Sequence, residues 1–259
     1  MDKLFANVMN GLSNAASQRA TQPQINGVAA LYAFAHTPNN LREISIEESL
    51  SELKSNMVIV KGYCSDSTHQ GSGLMVTSCG YVLTAHHVVE EALKEHKKIT
   101  VTTKDRKSYD ISPGGAWYIK EKDIALLDAH KPVAYSRPIR AKVSLDGIIS
   151  IGERISVIGY RDGQEYTTWG EIIDSHITGR DGSKRFDDIF LTNSLGINGE
   201  SGGIIANSDG ELAGIVVAGH SRYDRDLGYI CGINIKEGLK LMKHVASTRS
   251  KVLFARPEQ

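Results

Sequence analysis

The sequence predicts a mainly β protein with a sandwich or barrel architecture. From residue 57 onward, short apolar and β-branched runs alternate with glycine turns at regular spacing. Asp-Gly pairs at 162–163, 181–182 and 209–210 supply the positive φ values that tight hairpins need. The runs that predict strands are 57–60, 72–76, 81–84, 99–103, 123–127, 155–158, 166–169, 189–192, 203–206, 212–217 and 229–231.

Helical patterns flank this β-rich region. The spacing predicts a short helix near 89–96 and an amphipathic helix over 236–245. Residues 1–55 read as a helical extension, because Leu4, Phe5, Val8, Met9 and Leu12 recur at helical spacing. Ser45 and Glu48 form a predicted capping box, and a break is predicted at 38–40. The extension either packs on the domain behind it or acts as a regulatory or oligomerising arm.

The polar stretch 131–141 divides the predicted strands into two groups. The organisation expected is an extension (1–55), a main domain (56–248) with strand groups at about 56–130 and 145–235 and a helix at about 235–248, and a tail (249–259).

Composition gives no support to several partner classes. The 259 residues include 30 basic and 30 acidic side chains, so net charge favours neither nucleic acid nor an anionic membrane surface. No run approaches the roughly 18 apolar residues of a membrane span. Three cysteines, Cys64, Cys79 and Cys231, are a poor disulfide framework, and residues 1–20 lack the apolar core of a secretory signal. We therefore expect a cytoplasmic protein.

Three short motifs carry the chemistry, in the order histidine, acid, serine. They are Leu-Thr-Ala-His-His-Val-Val ending at Val89, Lys-Asp-Ile-Ala-Leu-Leu ending at Leu127, and Gly-Glu-Ser-Gly-Gly ending at Gly203. A serine hydroxyl is a weak nucleophile at neutral pH. It needs an imidazole to take its proton, and the imidazole needs a carboxylate to fix its tautomer.

With these motifs in this order, the chain over about 55–248 resembles the trypsin-like serine proteases. The amino-acid sequences of the motifs are most similar to those of the HtrA-type protease domain. The resemblance implies the chymotrypsin fold, with two six-stranded antiparallel β-barrels. It also implies a serine endopeptidase that acts through an acyl-enzyme. No PDZ sequence follows in the chain, so the likeness is to the protease domain alone.

The resemblance assigns the catalytic roles to His87, Asp123 and Ser201, with the N–H groups of Gly199 and Ser201 as the oxyanion hole. His86 precedes the family's histidine position and is expected to be a surface or supporting side chain. Asp128 is the rival acid, but five residues of strand would carry it roughly 16 Å from Asp123.

Substrate contacts are inferred from the same resemblance. Counting back from Ser201 places Leu195 near the base of the pocket for the P1 residue, and the strand through Val217, Ala218 and Gly219 would pair with the peptide. Ala218 and Ile230 are candidate pocket walls. Since Leu195 carries no charge, we expect small or medium apolar P1 residues.

Neither a metal nor a cofactor is expected. The local cluster of His86, His87, Glu90, Glu91 and His96 matches no zinc signature. The partners expected are a protein or peptide substrate and, through residues 1–55, a second copy or an activating protein. Two alternatives stay open, a latent protease that a partner activates and a binding module of protease fold.

The chain departs from the family beside the serine. Glu200 stands where secreted members have Asp and HtrA-type members often have Asn. No Ile-Val-Gly-Gly sequence opens the first strand, so activation by insertion of a new N-terminus is not expected.

Overall fold

A computed structural model describes residues 22–36, 44–111, 114–129, 142–144, 150–181, 184–196, 199–220 and 228–254. Its strands form two antiparallel sheets. The first sheet contains β1 (Met57–Tyr63), β2 (Thr68–Met75), β3 (Tyr81–Ala85), β4 (Ile99–Thr102), β5 (Ser108–Asp110), β6 (Ala116–Ile119) and β7 (Ile124–Asp128). The second contains β8 (Arg154–Arg161), β9 (Gln164–Asp181), β10 (Lys184–Gly196), β11 (Ile204–Ala206), β12 (Leu212–His220) and β13 (Gly228–Asn234).

The mainly β, chymotrypsin-like fold is confirmed, with one difference in the first sheet. The second sheet closes into a six-stranded barrel in the order β10-β13-β12-β11-β8-β9. The first is a curled seven-stranded sheet in the order β5-β4-β1-β2-β3-β7-β6. Its edge strands have only three and four residues, and within the described residues no ladder joins them. Expecting six strands in a closed first barrel was therefore wrong in this detail.

Strand β3 is buried on both faces, which explains its continuous apolar sequence. Val82 and Ala85 pack inside the first sheet, whereas Tyr81 and Leu83 belong to a larger core shared by both sheets and the helices. The interior of the second barrel forms a third cluster around Val157, Phe190, Ile205 and other apolar residues. The strand that leads to the histidine motif is thus held from both sides.

Four α-helices are described: α1 (Gln22–His36), α2 (Ile46–Ser55), α3 (Glu90–Lys94) and α4 (Ile235–Phe254). The Ser45 capping box is present, with bonds of 3.2 Å in both directions to Glu48. Helix α1 packs on α4, and the Ser49 hydroxyl of α2 donates to the Gly210 carbonyl at 2.6 Å. The predicted helical positions before residue 13 and the predicted break at 38–40 lie outside the described residues.

Helix α4 extends to Phe254, past the end expected near 248, and its Arg249 forms an ion pair with the first sheet. Arg249 pairs with Asp128 at the end of β7 and donates to the Tyr81 hydroxyl at 2.8 Å. Its guanidinium also lies 4.6 Å from the centre of the Trp117 ring. Burial and the Asp128 carboxylate raise the pKa of the Tyr81 phenol. Within the described chain, no helix is long and apolar enough to cross a membrane.

We predict that Arg249→Ala lowers the free energy of unfolding by about 3 kcal/mol, since it leaves the Asp128 carboxylate buried without its cation. Lys240→Ala is the matched control, because Lys240 pairs with Glu237 on the exposed face of the same helix. That variant should cost less than about 1 kcal/mol. Urea denaturation measures both, and equal losses would refute the anchoring role of Arg249.

Candidate active site

His87 and Asp123 are joined by two bonds at the ends of β3 and β7. The structure places His87 Nδ1 2.6 Å from Asp123 Oδ2, and the His87 N–H donates to Asp123 Oδ1 at 2.8 Å. The Asp123 side chain is only 3% exposed, whereas His87 is 31% exposed. A carboxylate this close to Nδ1 keeps a proton there, which leaves Nε2 as the accessible acceptor.

The Asp123 carboxylate is oriented by the left-handed backbone conformation of Asp123 itself. Asp123 has φ +51 and follows a 3₁₀ turn at Lys120–Lys122. Its carbonyl accepts the His86 N–H at 3.0 Å. Aspartate tolerates this backbone region better than most residues, so the sequence places an acid where the chain must turn. The backbone carbonyl of Asp123 therefore binds His86, and its side chain binds His87.

The two rivals lie elsewhere. His86 is buried, and its ring stacks on Tyr118 with centroids 4.3 Å apart. Asp128 lies at the far end of β7, where it pairs with Arg249. The structure therefore brings together His87 and Asp123 and places the adjacent candidates in other contacts.

Ser201 lies in a tight turn that we call the serine turn (residues 199–203). Gly199 and Gly202 adopt φ +99 and +81, values open to glycine. The Gly203 N–H donates to the Glu200 carbonyl at 2.7 Å and closes the turn. Ser201 itself is partly exposed, as a nucleophile must be.

Close backbone contacts place the serine turn beside the histidine. The Ser201 carbonyl accepts the Ser72 N–H at 2.7 Å. A Cβ at Gly71 would lie 2.6 Å from both the Ser201 carbonyl and Val88 Cγ2. Since Val88 follows His87 directly, the serine turn and the turn that carries the histidine both approach β2 at Gly71.

The predicted substrate contacts divide into two groups. Leu195 is 52% exposed at the end of β10, and Ala218 is partly buried. The side chains of Val217 and Ile230 are fully buried in core clusters, so both support the site from behind. Gly219 pairs with Ile230 across the β12–β13 ladder.

One edge of β12 is available to a peptide. Its first half pairs with β11 as far as Ile215, and Val216 exchanges 2.8 Å bonds with Gly202 and Gly203. Beyond Val216, β13 pairs with one edge of β12, and no strand among the described residues pairs with the opposite edge of β12. An extended peptide can therefore add to this edge next to the serine turn.

Sequence reasoning missed Ser72 and Gly71, which anchor the serine turn to β2. The signal was available in Gly71-Ser72-Gly73, since glycines at and just before the start of the predicted strand 72–76 indicate a close backbone approach. Glu200 is fully buried, and its Cγ lies beside Gly159 of β8. The side chain that departs from the family pattern thus lies between the serine turn and the second barrel.

The cysteines are unsuited to replace the serine. All three are free thiols. Burial raises the pKa of Cys231 to about 11 and raises that of Cys79 as well, which keeps both protonated at neutral pH. In the described part of the chain, no group of three acidic, histidine or cysteine side chains could hold a metal ion.

We predict that Gly202→Ala costs about 3 kcal/mol or more of folding stability, because the new Cβ would overlap the Ser72 carbonyl oxygen in a left-handed backbone. Gly163→Ala is the control, with φ +79 and nothing within 4 Å of the added Cβ. It should cost only about 1 kcal/mol. Thermal unfolding measures both variants. Equal unfolding midpoints would show that the close approach of Gly202 to Ser72 contributes nothing to the free energy of unfolding.

The comparisons agree with this geometry. The trypsin-like peptidase domain matches residues 71–215. The chain is 32% identical over 158 residues to protease Do-like 1 of the Arabidopsis thaliana chloroplast, covering 58% of this chain and 33% of that protein. It is 30% identical over 151 residues to the periplasmic pH-dependent serine endoprotease DegQ of Escherichia coli, covering 57% and 31%. It thus spans about one third of these relatives.

A solved structure of the HtrA-type protease AlgW with a tripeptide superposes with a TM-score of 0.63 at 23% identity, covering 80% of this chain and 65% of that one. This likeness concerns the fold.

These relatives overturn one expectation. Their names place them in the chloroplast or the bacterial periplasm, so the expectation of a cytoplasmic protein is wrong. Three free cysteines were a weak guide, because a protein with a sufficient hydrophobic core does not need disulfides in an oxidising compartment. The resemblance on the three motifs, by contrast, is confirmed, and the chain belongs to the trypsin-like peptidase domain family.

Proposed function

We propose that the protein is a serine endopeptidase that hydrolyses peptide bonds through an acyl-enzyme, with His87, Asp123 and Ser201 as its triad. The observation that carries this is the paired bond between Asp123 and His87, next to a serine turn packed on the same elements. Family membership supports the same reaction.

Each residue of the proposed triad has one role in the proton transfers. His87 Nε2 takes the Ser201 Oγ proton as Oγ attacks the substrate carbonyl carbon. The buried Asp123 carboxylate stabilises the imidazolium that forms. The carbonyl oxygen becomes an oxyanion that accepts the N–H groups of Gly199 and Ser201. His87 then donates its proton to the leaving amine, and water releases the acyl group by the reverse sequence.

The open edge of β12 supports a peptide substrate bound as an added strand. Gly219 and Ala218 lie on the strand that carries this edge, and Leu195 offers an uncharged exposed side chain on β10, on the far side of β13. We infer small or medium apolar P1 residues. A tripeptide is present in the structure of the HtrA-type relative, which is consistent with a peptide ligand here.

Fluorophosphonate labelling tests the nucleophile. We expect the wild-type chain to be labelled and Ser201→Ala to stay unlabelled, as measured by intact mass. Equal labelling of the two would exclude Ser201. Labelling that begins only after a partner protein is added would favour the latent protease, and no labelling with retained peptide binding would favour the binding module.

Two neighbouring histidines provide a matched test of the base. His87→Phe should lower kcat for a peptide substrate by about 10⁶-fold, as removal of a triad base does elsewhere. His86→Phe retains a ring against Tyr118 and should lower kcat far less than His87→Phe does. A reversed pattern would assign the base to His86.

Asp123→Asn should lower kcat by about 10⁴-fold, because an amide stabilises the wrong tautomer of His87. Circular dichroism should show a folded chain. A decrease of less than tenfold would mean that Asp123 does not orient the base.

Leu195→Asp tests the specificity pocket. A carboxylate at its base should shift cleavage from apolar P1 residues towards Lys and Arg, as measured with a peptide library. Leu195→Asn is the uncharged control. An unchanged P1 profile in both variants would place the pocket elsewhere.

A further inference from the structure

Ser72 is a fully buried residue of β2 whose polar atoms all bond at the junction of the two sheets. Its N–H donates to the Ser201 carbonyl at 2.7 Å. Its Oγ donates to the Gly199 carbonyl at 2.9 Å and accepts the Tyr160 N–H of β8 at 2.7 Å. Its own carbonyl accepts the Thr84 hydroxyl at 2.7 Å. One residue thus binds β3, β8 and both ends of the Gly199–Ser201 segment.

The direction of the hydroxyl bonds is determined by their partners. The Tyr160 N–H can only donate, so it bonds to a lone pair of Ser72 Oγ. The single hydroxyl proton is then used on the Gly199 carbonyl, which can only accept. Two hydrogen bonds linked through one hydroxyl strengthen each other. Because the hydroxyl is buried, loss of either bond would leave a polar group without water to replace it.

Two carbonyls of the serine turn are held by hydrogen bonds, that of Gly199 by Ser72 and that of Glu200 by the turn itself. Gly199 has φ +99, and its Cα packs against β8, since an added Cβ would lie 2.8 Å from the Tyr160 carbonyl. The Ser72 hydroxyl holds the Gly199 carbonyl, and the Gly203 N–H holds the Glu200 carbonyl at 2.7 Å. Because trans peptides are planar, the Ser201 N–H must point opposite to the Glu200 carbonyl.

We propose that Ser72 is a positioning residue for oxyanion stabilisation. Its hydroxyl holds the backbone of residues 199–201 in the conformation that presents the N–H groups of Gly199 and Ser201 to the substrate oxygen. Ser72 acts through this backbone and touches no substrate. The inference rests on the proposed function and adds a residue that the triad motifs do not contain.

Ser72→Ala isolates the hydroxyl, because the bond from its N–H to Ser201 is a backbone contact that alanine keeps. Ser49→Ala is a closely matched control. Ser49 is also buried, and its hydroxyl donates to a glycine carbonyl, that of Gly210, in a turn far from the site. Both variants lose a buried hydroxyl bond to a carbonyl, and Ser72→Ala also removes the acceptor of the Tyr160 N–H. The free energy of unfolding of each variant is therefore measured beside its inhibition constants.

Inhibition constants for a peptidyl aldehyde ending in valinal and for the corresponding alcohol provide the readout. Ser201 Oγ adds to the aldehyde carbon while the C=O double bond becomes a single bond. The hydroxyl proton moves to His87, and the oxygen becomes the oxyanion. The alcohol binds the same surface but forms no oxyanion.

Ser72→Ala should weaken the aldehyde by about 10²-fold, the effect of a small misplacement of catalytic groups. Its affinity for the alcohol should stay unchanged. Ser49→Ala should change neither constant. Ser72→Cys keeps a weak donor of similar size, and its aldehyde affinity should fall between those of the wild type and Ser72→Ala.

Two results would overturn the inference: equal weakening of aldehyde and alcohol in Ser72→Ala, or an aldehyde constant equal to that of Ser49→Ala. If Ser72→Ala does not fold, Ser72→Cys decides, and a wild-type ratio of the two constants overturns the role. If Ser201→Ala binds the aldehyde as tightly as the wild type, the proposed function itself is wrong, and the role of Ser72 is wrong with it.

Discussion

The serine turn is held to the first sheet by two hydrogen bonds from Ser72, one from its backbone N–H and one from its hydroxyl, and the rest of the site depends on this joint. The bond between Ser72 N–H and the Ser201 carbonyl, at 2.7 Å, crosses from one sheet to the other. Glycines at 71 and 202 allow the approach, since a Cβ at either would overlap neighbouring backbone atoms. The catalytic side chains can therefore approach one another only because positions 71 and 202 carry no side chain.

The joint brings together groups that belong to different sheets. His87 follows β3 and Asp123 precedes β7, and these two strands of the first sheet pair with each other. The pairing places Ala85 opposite Ile124, so the histidine and the aspartate lie at the same end of the two strands. Ser201 precedes β11 of the second barrel. A relative shift of the two sheets would separate the serine from the histidine and leave the His87–Asp123 pair intact. Helix α4 opposes such a shift, because it begins after β13 and its Arg249 reaches Asp128 of β7.

The sequence predicted the features that depend on local residue type. The triad motifs, the Ser45 cap and most strands follow from short patterns, and the left-handed Asp123 turn fits an aspartate. Features set by contacts between distant segments were missed. Strands β5 and β6 are too short for a periodic signal, and the core positions of Val217 and Ile230 depend on the closure of the barrel. The bonds of Ser72 join residues up to 129 positions apart, which no local pattern indicates. The compartment was misjudged because three cysteines restrict it little.

Release of p-nitrophenol from an activated ester in the first turnover tests most directly whether Ser201 becomes acylated. The wild-type chain should give a burst of about one equivalent per chain before the steady state, as acyl-enzyme accumulation requires. Ser201→Ala and His87→Phe should give none. A burst of the same size from Ser201→Ala would contradict the assignment of the nucleophile and, with it, the assembly of the site at the joint between the two sheets.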